Sequence, residues 1–202
     1  MKPFSGFEDA QKNARYVGSA RLPKGGYVCT ILGVKYEKGE NGNSDYLRVQ
    51  FDVAEGDLKG FFQSQYEASK NEDKKYKGQT IVYLPKDDGS EKDGWTKNSF
   101  ARWTNALEDS NDGYKWDWDE KKWKKKLIGL VFGETGTVID GKEVVYTDCR
   151  YPVSVKEIRE GTFKEAPFKS KDGYGEAKAP ATGSSETDFM NIPNDIQEEL
   201  PF

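Results

Sequence analysis

Residues Tyr46–Val53 alternate without a break. Leu47, Val49, Phe51 and Val53 are apolar, and Tyr46, Arg48, Gln50 and Asp52 stand between them. A period of two over this length predicts a strand with one face on a core and the other in water. Such a strand needs partners, and the flanking sequence supplies them at hairpin distance. Tyr27–Tyr36 upstream is rich in β-branched and aromatic residues, and Gly39-Glu40-Asn41-Gly42-Asn43 has the composition of a hairpin loop. Downstream, Gly56-Asp57 marks a turn, and Leu58–Tyr66 reads as a third strand bent near Gly60. Connections this short exclude parallel crossovers, so the three runs predict an antiparallel meander.

The next segment is charged over Glu67–Lys77, briefly apolar over Thr80–Leu84 and polar over Pro85–Gly94. Asn98 or Ser99 then caps an expected helix, in which Phe100, Trp103, Thr104 and Leu107 fall on one stripe. Asp109-Ser110-Asn111-Asp112-Gly113 ends it. Two further strands follow, Leu127–Phe132 and Glu143–Tyr151, joined across Thr137–Lys142 with Asp140-Gly141 as the hairpin signal. Val153–Ile158 reads as a short strand or an edge extension.

This order predicts a mainly β fold, an OB-like five-stranded antiparallel barrel with one inserted helix. A generic α+β sandwich would produce the same string of elements. Residues 1–22 form a polar lead-in, with one or two helical turns over Asp9–Arg15, and residues 23–165 form the domain. Gly, Ala, Pro, Ser and Thr dominate from Phe168 to Ser185 and cannot bury enough surface to fold, so 166–185 reads as a flexible linker and 186–202 as a disordered acidic tail.

Charge follows the same division. Residues 166–202 hold seven acids against three bases, which equals the whole chain's net charge of −4 and leaves 1–165 neutral. A neutral body with an acidic tail can still carry a local basic groove.

Composition removes whole classes of chemistry. The 202 residues include no histidine, and the two cysteines, Cys29 and Cys149, have no CxxC spacing. A Cys/His zinc site and His-based acid–base catalysis are therefore excluded within one chain. Both cysteines read as small buried hydrophobes in strands rather than a disulfide. Glycine-rich phosphate loops and HExxH motifs do not occur. Paired acids such as Asp117 and Asp119 could hold magnesium, but no such pair has a reason to be buried, and in a stretch rich in Lys and Trp these two read as solvated ion pairs. No enzyme activity, metal or cofactor is expected. The absence of an apolar run of about 20 residues excludes a spanning helix, and Met1–Gly6 has no apolar signal region, so no membrane partner and a cytoplasmic location are expected.

The chemistry that remains is aromatic and cationic. All five tryptophans lie between positions 95 and 123. Trp116, Trp118 and Trp123 are interleaved with Lys115, Lys121, Lys122, Lys124, Lys125 and Lys126. Aromatic rings stack on unpaired bases and lysines meet phosphates, a combination that binds single strands without reading sequence. The opposing reading places the tryptophans in the core and the lysines on a solvated face. A second candidate surface is the polar side of the first three strands, with Lys35, Tyr36, Lys38, Tyr46, Arg48, Lys59, Phe61, Phe62 and Tyr66. Tyr46 beside Arg48 would pair a stacking platform with a phosphate clamp. Phe61 and Phe62 are adjacent, so on a strand only one could face the core. Lys70, Lys74, Lys75 and Lys77 mark Glu67–Lys77 as a DNA-facing loop or a solvated connector.

The tail carries a different signal. After Lys178 it has no base, and it closes on Asp195, Ile196, Glu198, Glu199, Leu200, Pro201 and Phe202. Carboxylates beside a large aromatic suit an apolar pocket rimmed by Arg or Lys on a partner protein. The segment Glu198-Glu199-Leu200-Pro201-Phe202 resembles the C-terminal tip of bacterial single-stranded DNA-binding proteins, with Glu where that family mostly has Asp. The body is also similar to a group of phage-encoded proteins found among replication and recombination genes. The likeness rests on Leu22–Tyr27, Ser110–Trp118, Leu127–Gly133 and Val155–Gly161.

The resemblance implies a phage single-stranded DNA-binding protein working in the bacterial host cell. Its body would coat unpaired DNA, with room for a homo-oligomer, and its tail would recruit replication or recombination proteins. An adaptor that mimics the host tail without binding DNA is the rival expectation. A nuclease has no supporting constellation.

Overall fold

The computed structural model describes residues 21–40, 42–171 and 173–175. Strands β1 (Gly25–Glu37), β2 (Tyr46–Val53), β3 (Gln79–Tyr83), β4 (Leu127–Ile139) and β5 (Lys142–Val153) form one antiparallel sheet in the order β3-β2-β1-β4-β5. A short strand β6 (Lys169–Ser170) adds in parallel to β4 at Thr135 and Gly136. The alternation in β2 behaves as expected. Leu47, Val49, Phe51 and Val53 are all buried, while Tyr46, Arg48 and Gln50 are not. The β4–β5 hairpin turns at Asp140-Gly141, both with positive φ, the two-residue geometry whose twist matches a hairpin.

The sheet is open rather than a closed barrel, because no ladder joins β3 to β5. A helix fills that gap. Helix α2 (Glu91–Ser110) packs against β3, β4 and β5, and the two sheet edges approach each other at the Thr80 and Cys149 side chains. Helix α2 starts at Glu91, earlier than the expected Asn98. The Ser90 hydroxyl accepts from Asp93 N at 3.2 Å and so satisfies one of the free amides of the first turn. Phe100, Trp103 and Leu107 face the core as their spacing requires.

Leu58–Tyr66 is not a strand. Gly60 adopts a left-handed conformation (φ 72°) and starts helix α1 (Phe61–Ala68). The carboxylate of Asp52, buried at the end of β2, caps that helix from a distance. Oδ1 accepts from Phe62 N at 2.9 Å, and Oδ2 accepts from Gln63 N at 2.9 Å. A carboxylate at the positive end of a helix satisfies its amides and complements its dipole. The third strand is β3, in the run first read only as apolar. Val153–Ile158 also differs from the expected strand. Ser154 and Glu157 form a reciprocal capping box that starts helix α3 (Val155–Glu160).

The structured body also runs past the expected boundary at 165. Lys169–Ser170 pairs with β4, the Tyr174 ring lies on Gly136, and Gly175 N donates to Glu143 at 3.1 Å. The lead-in 1–20, including Asp9–Arg15, and the rest of the linker and tail from 176 lie outside the described residues.

The core is aromatic. Phe51, Phe62 and Phe132 meet with ring centroids 5.6–6.4 Å apart, and Trp103 stacks on Trp123 at 6.2 Å and 7°. Cys29 and Cys149 are free thiols in β1 and β5. Burial pushes Cys149 up to about 12 and Cys29 well above its ordinary value, so both stay protonated.

Candidate nucleic-acid interface

The outer face of β1–β2–β3 follows from register. Glu37, Tyr46 and Tyr83 lie in one cross-strand row, Lys35, Arg48 and Ile81 in the next, and Gly33, Gln50 and Gln79 in the third. Side chains on one face of antiparallel neighbours sit side by side, so each row is a contact group. Tyr83 is 55% exposed and meets Tyr46 edge-on at 6.1 Å, and Ile81 is 41% exposed. With the β1–β2 loop and the start of α2, this end of the sheet forms a cleft of about 950 Å³ that includes Lys35, Tyr36, Lys38, Tyr46, Tyr83 and Lys92.

Glu37 organises the electrostatics. Arg48 donates to it through Nε at 3.0 Å and Nη2 at 3.1 Å, and Tyr46 Oη donates at 2.6 Å. Lys35 approaches at 3.3 Å. These donors, Arg48 foremost and then Tyr46, hold the Glu37 carboxyl down to about 2. The same contact raises the Tyr46 phenol. Arg48 also lies 5.7 Å from the Tyr46 ring centre. It is therefore not a free phosphate clamp, and an incoming phosphate must compete with a carboxylate already engaged by two hydrogen bonds.

The β1–β2 loop is tied down independently. Tyr36 donates to Asp45, which also accepts from Gly39 N at 2.8 Å, and Leu84 N bonds the Asp45 carbonyl at 2.8 Å. The Tyr36 hydrogen bond, then the Gly39 amide, lowers the Asp45 carboxyl. This fixes Tyr36, 48% exposed, at the mouth of the cleft.

The two surfaces that sequence analysis separated meet at Tyr36. A second, mainly apolar groove of about 710 Å³ is lined by Tyr36, Leu84, Pro85, Phe100, Trp116 and Trp118, among others. Trp118 is 82% exposed and held at φ 68°, a left-handed conformation that is rare for a bulky residue. Trp116 is half-buried, 5.9 Å from Trp118.

The other expected contact residues divide sharply. Trp123 is fully buried and cannot touch a ligand. Phe61 and Phe62 are both buried, at 2% and 7%, because helix α1 turns adjacent residues through about 100°, so both reach the core where a strand would separate them. Lys59 lies in the turn before α1, and Tyr66 on α1 packs edge-on against Tyr76 at 6.0 Å with the Lys74 ammonium 5.8 Å from its ring. They belong to the opposite end of the domain from the cleft. There Tyr66, Lys70, Lys74, Lys75 and Lys77 line a separate basic hollow of about 500 Å³. Lys124 and Lys125 are exposed after a 3-10 turn (Glu120–Trp123), and Lys125 N bonds Ile31 O at 2.8 Å, beside the β1 bulge. Asp117 is paired with Lys122.

Sequence reasoning missed Tyr83, Ile81, Lys92 and Trp95. The signal for the first two was present in Thr80–Tyr83, where Ile81 and Tyr83 point out and Val82 in. The partner-docking residues Asp195, Ile196, Glu198, Glu199, Leu200, Pro201 and Phe202 lie outside the described residues. Among the described residues, no group of three or more Cys, Asp or Glu side chains could hold a metal, and no helix is long and apolar enough to cross a membrane. No protein-family model matches this sequence, and no curated protein is significantly similar to it.

Proposed function

We propose that this protein binds single-stranded DNA without strong sequence preference, through the outer face of β1–β2–β3 and the adjoining Trp118 groove. The observation that carries the reading is a set of solvent-reaching rings, Tyr46 and Tyr83 in one row of the outer face and Tyr36 and Trp118 in the adjoining groove, bordered by Lys35, Lys38 and Lys92. Rings held apart on a rigid surface seat successive bases, and flexible lysines follow the backbone. The strand order β3-β2-β1-β4-β5, with a helix between β3 and β4, supports an OB-type relationship in which the closing strand pair is replaced by a helix. Glu198–Phe202 would dock replication or recombination proteins that offer an apolar pocket with a basic rim. The setting we infer is phage replication or recombination in a bacterial cytoplasm, with binding rather than catalysis as the activity.

Titration with oligo-dT, followed by tryptophan fluorescence at several salt concentrations, tests this. Binding should quench the exposed Trp118 and weaken as salt rises, with a log–log slope near −0.7 per phosphate contact. Affinity indifferent to salt, or equal for duplex, overturns the reading. Removing residues 194–202 should leave oligonucleotide binding in place and abolish partner recruitment.

One observation favours the adaptor reading instead. The Glu37–Arg48 pair leaves the centre of the face close to neutral, which suits a polar protein contact. Partner binding with no oligonucleotide affinity would select it.

A further inference from the structure

The open sheet leaves a surface that strand pairing does not account for. In the gap between β3 and β5 lies α2, and its solvent side carries Trp95, Asn98, Arg102 and Asn105. Steps of three and four residues place these on one line along the helix. All four are exposed, Trp95 at 69%, whereas Phe100, Trp103 and Leu107 on the inner stripe are buried.

Trp95, Asn98, Ser99 and Arg102 border a cleft of about 290 Å³ whose other wall is Arg150, Tyr151 and Pro152 of β5. The Arg102 guanidinium lies 5.7 Å from the Tyr151 ring centre. Arg150 is committed to the protein: its Nη2 donates to Glu134 O at 2.7 Å and to Thr135 Oγ1 at 2.8 Å, and its Nε lies 3.1 Å from Asp148. Arg102 makes no ion pair among the described residues, and neither does Lys92. Lys97, on the other side of the helix, is taken by Asp87 and Asp93.

This stripe is continuous with the proposed interface and rests on that reading. Lys92 and Thr96, in the first turns of α2, line the same cleft as Tyr46 and Tyr83, and Trp95 lies one helical step of three residues beyond Lys92. Rings and unneutralised cations therefore alternate around the molecule, from Tyr46 and Tyr83 past Lys92 to Trp95, then Arg102 and Tyr151.

We propose that α2 carries a second stacking segment of the single-stranded DNA track. A strand leaving the sheet passes over β3, seats a base on Trp95 and places a phosphate on Arg102. A cation in no described ion pair, near an exposed ring and bordering a cleft of about 290 Å³, suits the phosphate and base of a nucleotide in a single strand.

Two dT lengths on the full chain test it, one of about six nucleotides that the sheet face alone can hold and one of about twenty that must run beyond it. The double variant Trp95→Ala/Arg102→Ala should bind the long oligonucleotide about tenfold more weakly and the short one as the unaltered protein does. Its salt slope on the long strand should fall by about 0.7. Equal binding of both lengths by variant and unaltered protein overturns the inference while leaving the sheet-face reading intact. Failure of the unaltered protein to bind either length overturns that reading and this one together. Unchanged DNA binding with lost self-association in light scattering would assign the stripe to a second copy of the chain and also overturn it. Should the double variant unfold, Arg102→Gln alone carries the same length-dependent comparison.

Discussion

The two halves of one sheet meet solvent in opposite ways. On β4 and the start of β1, glycines face outward and other chain segments come down onto them. A Cβ at Gly129 would lie 2.7 Å from the Ile158 side chain and 2.7 Å from Ser154 O, and one at Gly26 would lie 2.5 Å from Ile158. Gly133, on the same face as Gly129, admits Ala166 in the same manner. Helix α3, Phe163 and Ala166 thus seal that half. On β2 and β3 the outward positions are Tyr46 and Arg48, half-buried beside Glu37, and Gln50, Ile81 and Tyr83, all exposed. Side-chain size on the outer face decides which half is packed shut and which is left to meet a partner.

The largest expected effect breaks the covered half. Gly129→Val has no room and should destabilise the fold by about 3 kcal/mol, read as a lower urea midpoint, whereas Gln50→Val on the open half should stay within about 0.5 kcal/mol. If the two shifts were alike, the contrast would not lie in packing. Next is the junction of β2 with α1. Asp52→Ala leaves the Phe62 and Gln63 amides without their acceptor and should cost about 2 kcal/mol by chemical denaturation.

A smaller effect sharpens the open half. Tyr83→Ala should weaken oligo-dT binding about tenfold while moving the thermal midpoint little, because the ring is 55% exposed. Loss of stability without loss of affinity would return Tyr83 to a structural role.

Smallest is Glu37→Gln. The Glu37 carboxyl titrates at about 2 in the folded protein against 4.5 unperturbed. A lowered folded value adds stability that is present above about 4.5 and is lost as pH falls towards 2. The variant should therefore melt slightly below the unaltered protein near neutral pH and together with it near pH 2. It also releases Arg48, so affinity for oligo-dT should rise a few-fold with a steeper salt dependence. Unchanged affinity would mean that Arg48 lies off the track.

Much of the architecture was readable in the chain because it is local. The limits of β2, the Asp140-Gly141 turn and the Phe100–Trp103–Leu107 stripe each follow from spacing within a few residues. What was not readable depends on residues far apart in sequence. Phe61-Phe62 fits a strand or a helix equally, and the Asp52 carboxylate, ten residues before Phe62, decides for the helix. Trp116, Trp118 and Trp123 have the same local composition, yet one is half-buried, one exposed and one fully buried. Packing against Phe100, Trp103 and Trp116 takes Trp123 out of reach.

The sequence by itself determined an antiparallel, mainly β body, because side-chain period and turn chemistry act over neighbouring residues. Tertiary structure alone decided that α2 occupies the gap where a fifth strand pairing would close a barrel. It also decided which rings remain outside, since both outcomes depend on how volumes fill the space between elements that no local pattern brings together.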